Sequence, residues 1–132
     1  MKKTFFIHKA PNSWYLIDCK NQSLGRISTY ITQVLLGKNI TTYSPSSKKK
    51  NYVVLINTNF LRYNKKKLYF FCYKPGQPGR ALKIKKFSIN TIKQTIKRML
   101  PMSTRNKLIK QLKIYENNIY PHKGQVNQKI NV

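Results

Sequence analysis

The chain has 132 residues, the length of one ordinary domain, and 40% of them are hydrophobic and 12% aromatic, enough to build a single core. Charge is the dominant constraint, because 27 Lys and Arg stand against only Asp18 and Glu116 and leave a formal net charge of +25. That imbalance argues against a free-standing enzyme, whose surface ordinarily mixes both signs, and it calls for a working environment that supplies negative charge.

Residues 1–13 read as an N-terminal extension. Its start, MKKTFFIHKAPNS, has two early lysines and a short apolar patch, and it lacks the apolar core and small-residue cleavage site of a signal peptide. A single domain is expected over residues 14–115. Its first element is WYLIDC (14–19), a continuous apolar run of the kind buried on both faces of a parallel sheet. In the following SLGRISTYITQVLLGKN, Leu24, Ile27, Ile31, Val34 and Leu35 fall at helical spacing, Ser23 is a plausible N-cap, and Gly37 stands where a C′ glycine would end the helix. YVVLI (52–56), rich in β-branched residues, is the next strand, so the first half reads as a βαβ unit.

KLYFFCY (67–73) reads as a third strand and Phe60 to Tyr63 as a shorter one, and the loop PGQPGR (75–80) breaks the pattern. From Ser88 the period is helical again, with Ile89, Ile92, Ile96 and Leu100 on one face and Lys93, Lys97 and Arg98 largely off it. Pro101 cannot continue that helix. A second helix capped by Ser103 or Thr104 is expected to carry Leu108, Ile109, Leu112 and Tyr115 on its apolar face. Residues 116–132 have no sustained apolar period and read as an extended basic tail, ordered only against a partner. No stretch approaches the roughly 18 apolar residues of a membrane span.

Catalytic and metal constellations are missing from this inventory. Two carboxylates in different elements do not make an acid/base pair, and no two of Cys, His, Asp and Glu have metal-ligand spacing. Cys19 and Cys72 lie outside any CxxC pattern and are expected as reduced, buried thiols; His8 and His122 lie in the two terminal segments. Asp18, at a strand end, reads as a turn or cap residue. Gly25 and Arg26 open a helix after a strand, but the three spaced glycines and later acid of a dinucleotide fold are absent.

Cations are what remains. Lys48 to Lys50 and Lys65 to Lys67 each precede a strand, Lys74 and Arg80 flank the Pro/Gly loop, and Tyr43, Tyr63, Tyr69, Tyr73, Tyr115 and Tyr120 are interleaved among them. Tyrosine rings can stack on bases of irregular RNA or simply pack in a core, and the residue pattern leaves both uses open. Charge spread from Lys2 to Lys129 does not describe one amphipathic membrane helix, and no DNA recognition helix or zinc module is evident. An enveloping RNA surface fits best.

Eight collinear motifs carry a family resemblance: WYLID (14–18), LGR (24–26), LLGK (35–38), Tyr43 with Pro45, YVVLIN (52–57), RMLP (98–101), KLIKQLKIY (107–115) and Pro121-His122. Together they resemble ribosomal protein thirteen of the bacterial-type large subunit. The resemblance implies a three-layer α/β/α fold with a small, mainly parallel sheet. It also implies a non-enzymatic structural role on large-subunit rRNA beside neighbouring ribosomal proteins, with no cofactor, metal, membrane or small-molecule substrate. The chain departs from the family in carrying SSKKKN (46–51) where an acidic, glycine-bearing loop is usual, Arg98 for a glycine, MSTRNK (102–107) for a glycine-containing segment, and Gln111 for a lysine. The expected rRNA contacts are Arg26, Lys38, Lys48, Lys49, Lys50, Lys65, Lys66 and Lys67, together with Lys74, Arg80, Arg98, Arg105, Lys107, Lys110 and Lys123. The abundance of Lys over Arg, with much Asn, Ile, Tyr and Phe, points to an A/T-rich genome, hence to a ribosome in a plastid, a mitochondrion or a reduced bacterium. A free-standing RNA regulator or chaperone and a nucleotide-handling α/β enzyme are the rival readings.

Overall fold

In the computed structural model, which describes residues 12–41, 43, 50–64, 69–70, 76, 83–84 and 87–130, the apolar run after Asn12 becomes the centre of a parallel sheet. Strand β1 (Ser13–Asp18) leads through helix α1 (Leu24–Leu36) into β2 (Asn51–Ile56). The two strands pair in parallel along their whole length, from Ser13 opposite Asn51 to Asp18 opposite Ile56. Their side chains alternate between two buried layers. Tyr15, Ile17, Val53 and Leu55 face a large core with Ile27, Ile31, Val34 and Leu35 of α1; Leu16, Val54 and Ile56 form a smaller core on the other face. A strand buried on both faces needs no polar alternation, which is why both runs read as continuous apolar segments.

Helix α1 stops where the sequence predicts. Gly37 takes φ +76°, and the Gly37 and Lys38 amides donate to the Val34 and Gln33 carbonyls at 2.9 Å each, a Schellman closure. Its start differs in detail, because the Ser23 hydroxyl makes no capping bond. Ser23 instead lies extended in a bridge to Arg62, with the Leu24 amide donating to the Arg62 carbonyl and the Arg62 amide to the Gln22 carbonyl. At the other end, buried Asn51 donates from Nδ2 to the Val34 carbonyl at 2.8 Å, tying the last turn of α1 to the first residue of β2.

The segment 60–63, expected as a strand, contains only that bridge at Arg62; a 3₁₀ turn occupies Thr58–Phe60, entered through Asn57 at φ +57°. Within KLYFFCY, β3 (Tyr69–Phe70) pairs antiparallel with β4 (Lys83–Ile84) in a two-stranded sheet separate from the main one. Helix α2 (Ile89–Met99) buries Ile92 and Ile96 against α1, and Leu100 follows in the same core before Pro101 ends the helix. Lys97 and Arg98 occupy its last turn, where cations complement the helix dipole.

Two expectations fail beyond Pro101. The second helix lasts one turn, α3 (Arg105–Leu108), followed by a 3₁₀ turn at Ile109–Gln111. Leu112–Ile114 then becomes strand β5, set parallel to β2 with Leu112 opposite Val53. The sequence LIKQLKIY supports both an i, i+4 apolar face and a short alternation, and the open edge of β2 decides in favour of the strand. The tail is also not left to a partner. Residues 115–126 cross the second face of the sheet, where Tyr115, Tyr120 and Val126 pack on Leu16, Val54 and Ile56. Strand β6 (Gln128–Ile130) then pairs parallel with β1, giving the sheet order β5-β2-β1-β6. Among the described residues, α1 and α2 thus cover one face of the α/β sheet, and the tail segment with its 3₁₀ turn at Lys123–Gln125 covers the other.

Asn51→Ala is expected to lower the unfolding free energy by about 1–2 kcal/mol in urea titration, because it removes a buried hydrogen bond. Gly37→Ala should cost about 1–2 kcal/mol for the left-handed backbone alone. A Cβ there would meet only Asn51 Nδ2 at 3.7 Å, so no steric penalty is added.

Candidate nucleic-acid interface

Among the described residues, four basic surfaces surround this core. At the end of β1, a turn through Asn21 (φ +59°) exposes Lys20, and the bridge from Ser23 brings exposed Arg62 to the start of α1, whose first turn carries exposed Arg26. The Asn21 amide donates to the Phe60 carbonyl at 3.2 Å, which places Phe60, 58% exposed, at the same end of the sheet. At the opposite end of the sheet, where the strands begin, Lys38 follows the end of α1 and Lys50 precedes β2, both exposed, with Tyr43 40% exposed near them in sequence.

The third surface runs from α2 to β5. Arg98, Lys107 and Lys110 are exposed and Arg105 is half-buried, and Met99 and Met102 lie exposed among them. Lys93, Lys110 and Lys113 rim an open groove of about 560 Å³ over Ile89, Ile109, Leu112 and Ile114. The fourth lies in the tail, where Lys123 and Lys129 share a cleft of about 470 Å³ with Tyr120.

Of the expected contacts, Arg26, Lys38, Lys50, Arg98, Arg105, Lys107, Lys110 and Lys123 are placed on these surfaces, and they do not converge on one face. Lys48, Lys49, Lys65, Lys66, Lys67, Lys74 and Arg80 lie outside the described residues. Sequence reasoning passed over Lys20, Arg62, Lys93, Lys113 and Lys129, which only the turns and strand pairings bring beside the chosen cations. The aromatic residues also divide. Tyr63 stacks on Phe87 at 3.9 Å, Trp14 on Tyr52 at 4.4 Å, and Tyr115 packs near Tyr120 and His122. Tyr43 and Phe60 are therefore the described rings most open to an incoming base, and Phe60 had no sequence signal beyond its polar neighbours.

The groups that resemble catalytic residues are committed elsewhere. Asp18 accepts from the Lys20 amide and from Asn57 Nδ2, both at 3.0 Å, the turn role expected of it. The Cys19 thiol is fully buried, and desolvation together with the Asp18 charge pushes its pKa up to about 12, the opposite of an activated nucleophile. No cluster of three metal-ligating side chains and no membrane-spanning helix occurs among the described residues.

Comparison with known proteins gives the same direction. The model of the family "Ribosomal protein L13" matches residues 12–121. A Large ribosomal subunit protein uL13c of Gracilaria tenuistipitata var. liui is 39% identical, the match covering 95% of this chain and 94% of that protein. A uL13c of Pyropia yezoensis is 39% identical over 88% of each, and a uL13 of the bacterium Wigglesworthia glossinidia brevipalpis is 35% identical over 97% of this chain and 98% of its own. The collinear motifs, the small parallel sheet and these matches over nearly the whole chain place the protein in the ribosomal protein L13 family.

Proposed function

We propose that the chain is a structural, non-enzymatic constituent of the large ribosomal subunit of an organelle or bacterium, held by large-subunit rRNA beside neighbouring ribosomal proteins. The observation that carries this reading is the distribution of cations: a folded core displays basic residues at both ends of the central strands, along α2 to β5 and in the tail, with two acids in the whole sequence. A surface of that kind fits RNA that surrounds the protein rather than a ligand held in one pocket. Phosphate contacts of this sort fix position and orientation.

The contacting set comprises the exposed cations placed above and the basic segments Lys48 to Lys50, Lys65 to Lys67, Lys74 and Arg80. Within it, Arg98, Arg105, Lys107 and Lys110 share the surface from α2 to β5, and their neighbours Met99 and Met102 offer apolar contact to exposed sugars or bases.

Two measurements test the reading. The protein should co-sediment with large subunits through a high-magnesium sucrose gradient; recovery at the top of the gradient, or at abundance far below that of the rRNA, would favour a free-standing RNA regulator. If about ten cations neutralise phosphates, binding to large-subunit rRNA should weaken with a slope of roughly −7 to −9 in log K against log salt. The triple change Arg105→Ala, Lys107→Ala, Lys110→Ala should reduce that slope by about 2–3. An unchanged slope would remove this stretch from the interface.

A further inference from the structure

Most of the described aromatic rings face another ring: Trp14 stacks on Tyr52, Tyr63 on Phe87, and Tyr115 lies near Tyr120 and His122. Phe60 has no ring partner among the described residues and is 58% exposed, although it carries no polar atom that would draw it to water. A single exposed apolar side chain is common on protein surfaces. What distinguishes Phe60 is how firmly its backbone is held and what surrounds it. The residue closes the 3₁₀ turn after β2, its amide donating to the Asn57 carbonyl at 3.1 Å. Segment 60–62 then runs parallel to segment 21–24. The Asn21 amide donates to the Phe60 carbonyl at 3.2 Å, the Arg62 amide to the Gln22 carbonyl at 2.8 Å, and the Leu24 amide to the Arg62 carbonyl at 3.0 Å.

The same ladder sets the direction of the side chains. Leu61 is extended (φ −66°, ψ 135°) and buried in the large core. Successive side chains on extended backbone point to opposite sides, so Phe60 and Arg62 both point away from that core. On the facing segment Cys19 is buried and Lys20 follows it into solvent, one residue before the amide bonded to Phe60. The acids at this end of the sheet stand apart from these cations. Asp18 is engaged by the Lys20 amide and Asn57 Nδ2, and Glu116 leaves β5 beside Asn57 and Thr58, at the start of the turn that Phe60 closes. An aromatic face beside cations suits a nucleotide, the ring meeting the π-face of a base and the cations its phosphates. A protein partner would find little to bury, because Asn59 and Arg62 on either side of Phe60 and Leu61 are exposed and polar.

We propose that Phe60 is a stacking platform for one unpaired nucleotide of large-subunit rRNA, with Arg62 and Lys20 on the adjoining phosphates. The platform accepts any base, because every base offers a π-face. The inference rests on the ribosomal reading and adds a defined single-stranded contact to it.

The test uses the full chain and large-subunit rRNA. Ultraviolet crosslinking should join a peptide within residues 57–64 to one unpaired nucleotide. Phe60→Ala should weaken rRNA binding on the order of tenfold, with the salt slope and the urea midpoint unchanged. Phe60→Trp should keep the wild-type affinity, whereas Phe60→Leu, apolar but without a π-face, should fall with Phe60→Ala. An abasic site at the crosslinked position should cost the wild type on the order of tenfold and cost Phe60→Ala nothing further, while any of the four bases there should bind alike. Lys20→Ala with Arg62→Ala should lower the salt slope by about 1–2 and leave the cost of the abasic site in place. The inference is overturned if rRNA binds but Phe60→Ala binds it as the wild type does, if Phe60→Leu keeps the wild-type affinity, or if this segment crosslinks only to a neighbouring protein. Failure of the wild-type chain to bind rRNA at all would instead overturn the ribosomal reading and this one with it.

Discussion

The parallel pairing of β1 with β2 is the constraint on which the remaining structure depends. Six residues of each strand are in register, and the interior positions are buried on both faces. Each face must then be covered by something apolar. One is covered by α1 and α2, whose isoleucines interlock above Ile17, Val53 and Leu55. The other has no such helix among the described residues, and the tail segment must cross it with Tyr115, Tyr120 and Val126. The edges of the pair are equally decisive: β2 accepts β5 and β1 accepts β6. Among the described residues, each basic surface is held by an element packed around this pair or by a turn that leaves it.

A core of this size has to persist under a formal charge of +25, and the charges repel one another whenever the chain is compact without a partner. The arrangement limits that repulsion. Cations lie on turns, helix ends and exposed faces, where solvent and salt screen them. Buried Ser28, Thr32, Asn51 and Thr58 donate from their side chains to backbone carbonyls at 2.7–3.1 Å. Stability therefore comes from apolar burial and backbone closure, while the cations face outward, where an external polyanion can meet them. Binding such a partner stabilises the folded state by mass action, so the same cations that weaken the isolated chain strengthen it in its complex.

Elements with many local signals were legible in the sequence. Helix α1 had an apolar stripe and a glycine stop, α2 a stripe and a proline stop, and the two central strands were continuous apolar runs. The chain after Pro101 was not legible in this way. Gln111-Leu112-Lys113-Ile114-Tyr115 satisfies a helical spacing through Leu108 and Leu112 and a strand alternation through Leu112 and Ile114. The choice is made by the vacant edge of β2, which lies far away in sequence. Gln128-Lys129-Ile130 has a single apolar residue and owes its strand entirely to β1. The basic surfaces followed the same rule. Lysine runs marked themselves, whereas Arg62 reached the start of α1 only through a bridge across a turn, and Lys129 was seated beside β1 only once β6 had formed.

That last point bears on how such a protein can be selective. Cations scattered over several surfaces attract any RNA, and attraction of this kind carries no base information. Selectivity has to come from the relative placement of the surfaces, which demands a matching RNA shape, and from any place where polar groups are held rigid enough to reject a wrong base. Rigidity is the scarcer quantity in a chain with so many flexible lysines. The folded tail provides it, because its backbone is pinned to β1 at Trp14 and Tyr15 and its rings are seated on the second face of the sheet. Had the tail remained extended until it met RNA, part of the binding free energy would have gone into ordering it. Prior docking on the sheet removes that cost and leaves the backbone and rings of the tail already in place.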